Sequence, residues 1–321
     1  MFKKTRKKIF SLIFPAPKFF YYNISSDGAV NVSEEYAYFC NVTEKFDNFN
    51  LVTPKGELQG KFISLNLKFG QSLLADAKTD KSLHNHKVII MVGANAECAE
   101  STLLYGMDCY KSAVANDELS LLSFNHYGVG RSTGECCGPQ DLYQGLEKII
   151  QHLEKNGIQA SNIILHGRSL GAAVATEVAW RMAYKNRPVN LIADRTFSSL
   201  SLEVISLFGL IIPIVGHVLG ALLVPLFFLL NFSMPTKTRF SQLQKKVGVE
   251  RNLAFNVYDD KIIPKTAGLA FNLANKTNTY VFTTNNKDAH NCGLIDLCGM
   301  SNKKLATLVC LDFYYKNFPQ N

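Results

Sequence analysis

The sequence predicts an α/β protein with a mostly parallel, doubly wound β-sheet. Three observations support this prediction. Short apolar runs recur along the chain, and stretches with helical periodicity separate them. Of the 321 residues, 47% are hydrophobic and 19% charged, which suits one large core and is untypical of disorder. The chain has no repeat of fixed period, which argues against a solenoid or a propeller.

Six apolar runs are predicted to be strands buried on both faces, because each is short and continuous. They are 87–92 (KVIIMV), 120–124 (SLLSF), 162–165 (NIIL), 189–193 (VNLIA), 253–258 (LAFNVY) and 279–283 (TYVFT). Residues 49–67 are predicted to form two earlier strands around a Pro54-Lys55-Gly56 turn, as an antiparallel start to the sheet.

Three helices are predicted between these strands. Residues 141–156 place their apolar side chains on one helical face, and Gly157 ends the pattern. Further helices are predicted over 170–184 and 264–274. Because strands and helices alternate, the sheet should be mostly parallel, and ligands should bind beyond the carboxyl ends of its strands.

The net charge of +8 is concentrated at the N-terminus. Six of the 34 basic residues lie in the first 18 positions, which leaves 28 basic against 26 acidic residues in the rest. A body this close to neutral lacks the basic face of a nucleic-acid-binding protein. Residues 1–45 are predicted to be a basic, aromatic arm and 46–321 a single domain. The arm is interpreted as a membrane-surface segment, a solvated tail or, least well supported, a signal peptide.

The eight cysteines contain no C-x-x-C pair, so the sequence gives little support to a zinc or thioredoxin-like site. Scattered cysteines in a chain with an adequate core favour a reducing compartment. No metal or organic cofactor is expected.

A candidate nucleophile follows the run 162–165, in the sequence His166-Gly167-Arg168-Ser169-Leu170-Gly171. This is G-x-S-x-G between a predicted strand and a predicted helix. The turn must be sharp, and a side chain at either glycine would clash with neighbouring backbone. The pattern predicts Ser169 as the nucleophile, with the N–H of Leu170 at the start of the helix aimed at the same point.

A serine nucleophile needs a base, and the base needs an orienting acid. Asp260 follows the run 253–258 and has the D-x-x-x-P spacing to Pro264, which favours it as the acid. The adjacent Asp259 and, after the run 189–193, Asp194 remain alternatives.

His290 is the only one of seven histidines that follows both Ser169 and Asp260, so it is the predicted base. His166 is interpreted as structural, and His126 as a residue that lines the site. The oxyanion hole needs two N–H donors. Leu170 is predicted to supply one and Asn95, in the loop after 87–92, the other, with Ala96 as the alternative.

From about residue 46 to the C-terminus, the chain resembles the α/β-hydrolase superfamily of serine hydrolases. Three segments carry this resemblance. They are Gly93–Ala96 for H-G-N-A, Gly128–Gly134 for G-x-G-x-S-x-G, and Ala289–Cys292 for G-H-N-D. Gly93 departs from the pattern by replacing His. Residues 194–199 (DRTFSS) are similar to SidB-like and chlamydial CHLPS-type hydrolases of intracellular bacteria. That resemblance implies a bacterial effector delivered to a host cell. The cysteines and the N-terminal arm lead us to expect a cytoplasmic or peripheral membrane protein.

Residues 204–236 contain no Asp, Glu, Lys or Arg, within a predicted lid insertion over 197–250 between the sixth and seventh strands. The length would allow one membrane crossing. However, Ser169 precedes the segment while Asp260 and His290 follow it, so one crossing would separate them. Pro213 and Pro225 favour short, broken helices. A buried core element and a transmembrane segment remain alternatives.

The sequence therefore predicts an α/β-hydrolase fold and cleavage of a carboxylic ester or thioester, of a lipid or acyl group, through an acyl-enzyme. The predicted residues are Ser169, Asp260 and His290 with the oxyanion donors Leu170 and Asn95. Peripheral membrane contact is expected through the lid and the N-terminal arm. The alternatives are a peptidase or small-ester hydrolase of the same fold, and a non-catalytic membrane- or partner-binding protein.

Overall fold

The computed structural model describes residues 22–24, 30–32, 62–66 and, with gaps, 87–318. The gaps are 96, 98, 100–101, 104, 107–108, 111–118, 128, 130–135, 212–221, 223, 226, 230–231 and 301–302. Most of the predicted arm over 1–45 lies outside the described residues. Its described part is a pair of short antiparallel strands, β1 (Tyr22–Ile24) and β2 (Val30–Val32).

An eight-stranded sheet forms the centre of the described chain. Its strands are β3 (Phe62–Asn66), β4 (Lys87–Val92), β5 (Leu119–Asn125), β6 (Ile163–Arg168), β7 (Asn190–Asp194), β8 (Asn252–Val257), β9 (Thr279–Thr283) and β10 (Cys298–Gly299). Their order is β10-β9-β8-β7-β6-β4-β5-β3. Strands β3 to β9 are parallel, and β10 pairs antiparallel with β9. The predicted fold class, with a mostly parallel sheet, is confirmed.

All six predicted apolar runs are strands, and two of them, 87–92 and 279–283, have the predicted bounds. Of the two strands predicted over 49–67, the second is described as β3. Strand β3 pairs with β5 in parallel, with Phe62 opposite Leu121. Parallel pairing requires a long connection between the partners, and the 52 residues between β3 and β5 supply it. The predicted strand and turn before β3 lie outside the described residues.

Six helices that are described over their whole length pack around the sheet. They are α1 (Pro139–Lys155), α2 (Leu170–Tyr184), α3 (Leu200–Ile211), α4 (Thr236–Val247), α5 (Leu269–Asn272) and α6 (Ala306–Asn317). The first two match their predictions, α2 at both ends. The helix predicted over 264–274 is reduced to the four residues of α5. Residues 264–268 form turns instead, and Gly268 has an extended backbone that starts the helix late.

Side chains of the strands alternate between two apolar cores. In β4, Val88, Ile90 and Val92 face the core that also contains buried residues of α1, α2 and α4. Ile89 and Met91 face the second core, with α6. Because both faces of the sheet are covered, the strands β4 to β8 are buried on both sides, as their continuous apolar runs predict. The run 279–283 differs, since β9 is only partly buried except at Phe282.

The uncharged segment 204–236 lies between β7 and β8, and α3 and α4 flank it. The chain on its two sides is joined, because the Lys237 N–H just after the segment donates to the carbonyl of Ser198, before α3, at 2.9 Å. Within the segment Phe227 and Phe232 are buried, whereas Phe228 and Leu229 are 78% and 79% exposed. No helix among the described residues combines the length and hydropathy of a membrane span.

Candidate active site

The backbone reverses sharply at Ser169, between the last residue of β6 and the first of α2. Ser169 has φ 53° and ψ −119°, a left-handed conformation that costs a residue with a side chain about 1–3 kcal/mol. Its N–H donates to the carbonyl of Asp194 on the neighbouring strand at 2.8 Å. Its own carbonyl accepts from Ala172 at 3.1 Å, which begins the helix. The turn is therefore held from both sides.

The two glycines of the motif are required by close backbone approach. A Cβ on Gly167 would lie 2.5 Å from Ala172 Cα, and one on Gly171 would lie 2.1 Å from the carbonyl oxygen of Val92. Both obstacles are backbone atoms, which cannot rotate away. The turn at Ser169 is therefore pressed against the carboxyl end of β4, where the predicted oxyanion loop starts.

Ser169, His290 and Asp260 form a continuous hydrogen-bonded chain. His290 Nε2 lies 3.1 Å from Ser169 Oγ, and His290 Nδ1 lies 2.8 Å from Asp260 Oδ2. The other carboxylate oxygen, Oδ1, accepts from the N–H groups of Ile262 at 2.8 Å and Ile263 at 2.9 Å. Ser169, Asp260 and His290 are each no more than 7% exposed. The carboxylate is thus oriented by backbone, and it orients the imidazole in turn.

Parallel topology brings these three residues together. Ser169 directly follows β6, Asp260 lies three residues beyond the end of β8, and His290 lies in the loop after β9. The carboxyl ends of parallel strands share one edge of the sheet, so residues far apart in sequence converge there.

The two alternative acids do not reach His290. Asp259 is exposed. Asp194 is buried, and its carboxylate is bonded instead to the Arg195 guanidinium and the Tyr105 hydroxyl. Burial alone would raise the pKa of Asp194, but the Arg195 guanidinium lowers it well below its ordinary range. Asp194 therefore belongs to a buried ion pair.

The other described histidines near the site have different surroundings. His166 is buried within β6, and its Nδ1 lies 2.9 Å from the Tyr110 hydroxyl. Burial lowers the pKa of His126 to about 4, so this imidazole is neutral at pH 7. His217 lies outside the described residues.

The predicted oxyanion donors lie on neighbouring elements. Leu170 is the first residue of α2, where backbone N–H groups have no partner within the helix. Asn95 lies in an exposed turn after β4, and Ala96 lies outside the described residues. The Ala94 N–H is already used, since it donates to Glu97 Oε2 at 2.7 Å. Glu97 also pairs with Arg168, which ties this loop to the residue before Ser169.

Sequence reasoning missed Glu203, a buried carboxyl on α3. Neither of its oxygens has a hydrogen-bond partner among the described residues. Burial, and then the charge of the nearby Asp260, raise the pKa of Glu203 to about 8. In sequence it is one acidic residue in a helix, a pattern more typical of a solvated face, so no local signal indicates its burial.

Sequence reasoning also missed the roles of Arg195 and Tyr105 around Asp194. The available signal was an Asp-Arg pair at the end of an otherwise apolar strand. Among the described residues, no three His, Cys, Asp or Glu side chains are grouped in a way that could hold a metal ion.

No protein-family model matches the chain. Among curated proteins it is similar to the multifunctional-autoprocessing repeats-in-toxin of Vibrio vulnificus and to that of Vibrio cholerae serotype O1. Both are 28% identical over 131 residues, or 40% of this chain. The matched segment spans only 2% and 3% of the length of these toxins.

Three solved structures are also similar. An alpha-beta hydrolase from Vibrio vulnificus is 22% identical, with 55% of this chain and 58% of that chain covered and a TM-score of 0.44. A proline iminopeptidase from Mycobacterium smegmatis is 14% identical, with 73% and 91% covered and a TM-score of 0.44. The esterase Pf2001 from Pyrococcus furiosus is 13% identical, with 56% and 62% covered and a TM-score of 0.37.

Replacing Gly171 with Ala is expected to lower the free energy of unfolding by about 3 kcal/mol or more, because the new methyl group meets immovable backbone. Chemical denaturation measures this change. Gly106→Ala is the matched control, since its methyl group meets only the ends of the Leu121 and Met91 side chains, at 3.0 Å. We expect it to cost about 1 kcal/mol or less. Equal costs for the two variants would contradict the close-approach argument.

Glu203 should make the folded chain less stable as pH rises. The unfolded chain loses this proton near the ordinary pKa of 4.5, whereas the folded chain keeps it to about pH 8. Stability present below pH 4.5 is therefore lost progressively up to about pH 8. Glu203→Gln should be more stable than the native chain at pH 8, by on the order of a few kcal/mol, and similar to it at pH 4.

Urea denaturation at the two pH values tests this expectation, with Glu250→Gln at an exposed position as the control. A Glu203→Gln difference that does not grow between pH 4 and pH 8 would show that the carboxyl titrates normally.

Proposed function

We propose that this chain, which has an α/β-hydrolase fold, is a serine hydrolase that cleaves a carboxylic ester or thioester through an acyl-enzyme. The observation that carries the proposal is the unbroken hydrogen-bonded chain from Asp260 through His290 to Ser169. Nucleophile, acid and base occur in the order Ser, Asp, His along the sequence, and each follows a different parallel strand.

In the first half of the reaction, His290 Nε2 takes the proton of Ser169 Oγ as that oxygen attacks the substrate carbonyl. The N–H groups of Leu170 and Asn95 stabilise the resulting oxyanion. The carbon–oxygen or carbon–sulfur bond then breaks, and the leaving alcohol or thiol receives its proton from His290. The acyl group remains on Ser169.

Water completes the reaction by the same route. His290 accepts a proton from water, whose oxygen attacks the acyl carbonyl, and then returns that proton to Ser169 as the acid leaves. Asp260 keeps Nδ1–H of His290 pointed towards it, so that Nε2 is the free acceptor. The two backbone donors to Asp260 Oδ1 leave Oδ2 for this bond.

A lipid or acyl-chain substrate is supported by the uncharged segment 204–236. The segment includes most of α3, and this helix contacts the loop that follows Asp260. In that contact, Ser206 Oγ lies 3.2 Å from Thr266 Oγ1. The Ser198 N–H also donates to the Ala267 carbonyl in that loop, at 2.6 Å. The segment is thus anchored next to the site, where a lid would lie.

Its outer surface is apolar where it is described. Leu222 is 69% exposed, and Phe228 and Leu229 are more exposed still. Apolar side chains that are this exposed, two of them at adjacent positions, are typical of a surface that binds another apolar phase. We therefore include peripheral membrane contact in the proposal. The similarity to two bacterial toxins supports a role as a delivered effector within the same proposal.

A fluorophosphonate probe, which reacts only with an activated serine, should label the native chain. Ser169→Ala should abolish labelling, and His290→Ala should slow it by about 1000-fold or more, because both positions are required to form the nucleophile. Ser161→Ala is the control, since this serine precedes β6 at the opposite end of the strand. Labelling is measured by gel fluorescence, with detergent or liposomes present.

Asp260→Asn should also slow labelling by about 100-fold or more, while Asp259→Asn at the adjacent exposed position should leave it within about twofold. A well-folded native chain that is not labelled under any of these conditions would favour the non-catalytic binding protein.

The substrate proposal predicts a separate effect of the apolar segment. Replacing Phe228 and Leu229 together with Asp should slow hydrolysis of a vesicle-borne acyl ester by about tenfold or more, since burying two such side chains contributes several kcal/mol. Hydrolysis of a short, water-soluble ester should remain within about twofold. Leu308→Asp, at an exposed apolar position on α6, is the matched control. Equal losses on both substrates would contradict a role in lipid contact.

A further inference from the structure

Arg195 is wholly buried, at the carboxyl end of β7. It has φ 44°, a left-handed conformation that an arginine rarely adopts. Its N–H donates to the Phe255 carbonyl on β8 at 2.8 Å, so the turn is held by the neighbouring strand. Strained backbone of this kind persists where the surroundings over-determine it, and it occurs most often at functional sites.

The turn at Arg195 lies beside the turn at Ser169. In the register of the sheet, Arg168 of β6 is opposite Asp194 of β7. The next residue of each strand, Ser169 and Arg195, has positive φ. Two adjacent strands therefore end in the same unusual way at the same level of the sheet, and one of them carries the nucleophile.

Every N–H of the Arg195 guanidinium has an acceptor. Nε donates to Asp194 Oδ1 at 2.7 Å, and Nη2 donates to Asp194 Oδ2 at 3.2 Å and to the Tyr105 hydroxyl. Nη1 donates to the Cys292 carbonyl at 2.8 Å and to the Ala289 carbonyl at 3.4 Å. A buried cation with five satisfied donors is oriented in one way only.

Its contacts with 289 and 292 place the guanidinium directly under the loop that carries His290. Within that loop, the Cys292 N–H donates to the Asp288 carbonyl at 3.0 Å, which closes a turn around the histidine. The guanidinium thus holds both sides of the His290 turn from within the protein.

Asp194 and Arg195, which are adjacent in the sequence, also hold the nucleophile. The Asp194 carbonyl accepts from the Ser169 N–H at 2.8 Å, and the Asp194 carboxylate is bonded to Arg195. One short stretch of chain therefore fixes the backbone of Ser169 and the loop of His290, whose reactive atoms are 3.1 Å apart.

We infer that Arg195 is a positioning residue, which keeps His290 at hydrogen-bond distance from Ser169 by holding the 289–292 turn against the end of β7. The inference rests on the proposed serine-hydrolase function. A purely stabilising role for Arg195 would affect folding but would leave the reaction of the folded protein unchanged.

The test compares Arg195→Lys with the native chain in single-turnover reaction with a fluorophosphonate, measured on folded protein. Lysine keeps the charge opposite Asp194 but cannot donate in a fixed fork to two carbonyls and a carboxylate. We expect the maximal labelling rate to fall by about 10- to 100-fold, because small misplacements of a catalytic group cost this much. The probe concentration at half-maximal rate should stay within about twofold, since probe binding does not involve Arg195.

Arg181→Lys is the matched control. Arg181 also donates to three partners, Glu177, Glu147 and Gln140, but it braces α1 and α2 away from the site. It should lower the melting temperature and leave the labelling rate unchanged. A folded Arg195→Lys protein that labels at the native rate would overturn the inference and leave the proposed function standing. A native chain that does not label would overturn both.

If Arg195→Lys does not fold, Asp194→Asn decides the question. This variant keeps Arg195 and a side chain of similar size at position 194, but it removes the carboxylate that orients the guanidinium. We expect a slower labelling rate, together with faster solvent exchange of the His290 Nδ1 proton in NMR spectra. A native labelling rate and native exchange in this variant would overturn the inference.

Discussion

The backbone has to pass from a buried strand to a buried helix within a single residue at Ser169, and the rest of the site depends on this turn. It is held by a hydrogen bond from the neighbouring strand and by the lack of side chains at Gly167 and Gly171. The strain is local, whereas the packing that sustains it comes from both cores of the sheet. A change in the packing of β4, β6 and β7 should therefore alter the backbone conformation of Ser169 first.

A second constraint is electrostatic. The protein buries a complete ion pair, Asp194 with Arg195, directly behind Ser169 and the loop of His290. Removing two charges from water is costly, and attraction between them offsets this cost only where the remaining donors and acceptors are also satisfied. Here the Tyr105 hydroxyl and two backbone carbonyls complete the arrangement. Apolar side chains of similar volume would lack these directional hydrogen bonds. The fixed geometry that the ion pair imposes on its neighbours is therefore the reason we favour for its burial.

Local patterns predicted the strands and the helix α2 well, because continuous apolar runs and G-x-S-x-G depend on neighbouring residues alone. The helix predicted over 264–274 was wrong in its extent because its start depends on distant partners. The helix α5 starts late because the N–H groups of Leu269 and Ala270 bond to Thr196 and Asn256 instead. Glu203 and Arg195 are charged residues whose burial is visible only after the chain has folded. The motif spacing could therefore bring Ser169, Asp260 and His290 to attention, but not the groups that surround them.

The bond between the Lys237 N–H and the Ser198 carbonyl closes the chain that contains the apolar segment into a loop. The entropy of closing a loop changes only slowly with its length, so exposed residues of the loop such as Phe228 and Leu229 can be exchanged at small cost, whereas Phe227 and Phe232 belong to the core of the sheet. Ser169 lies outside this loop on one side, and Asp260 and His290 lie outside it on the other. Changes at the exposed positions of the segment can therefore alter the surface that the protein presents, while the positions of Ser169, Asp260 and His290 stay as they are.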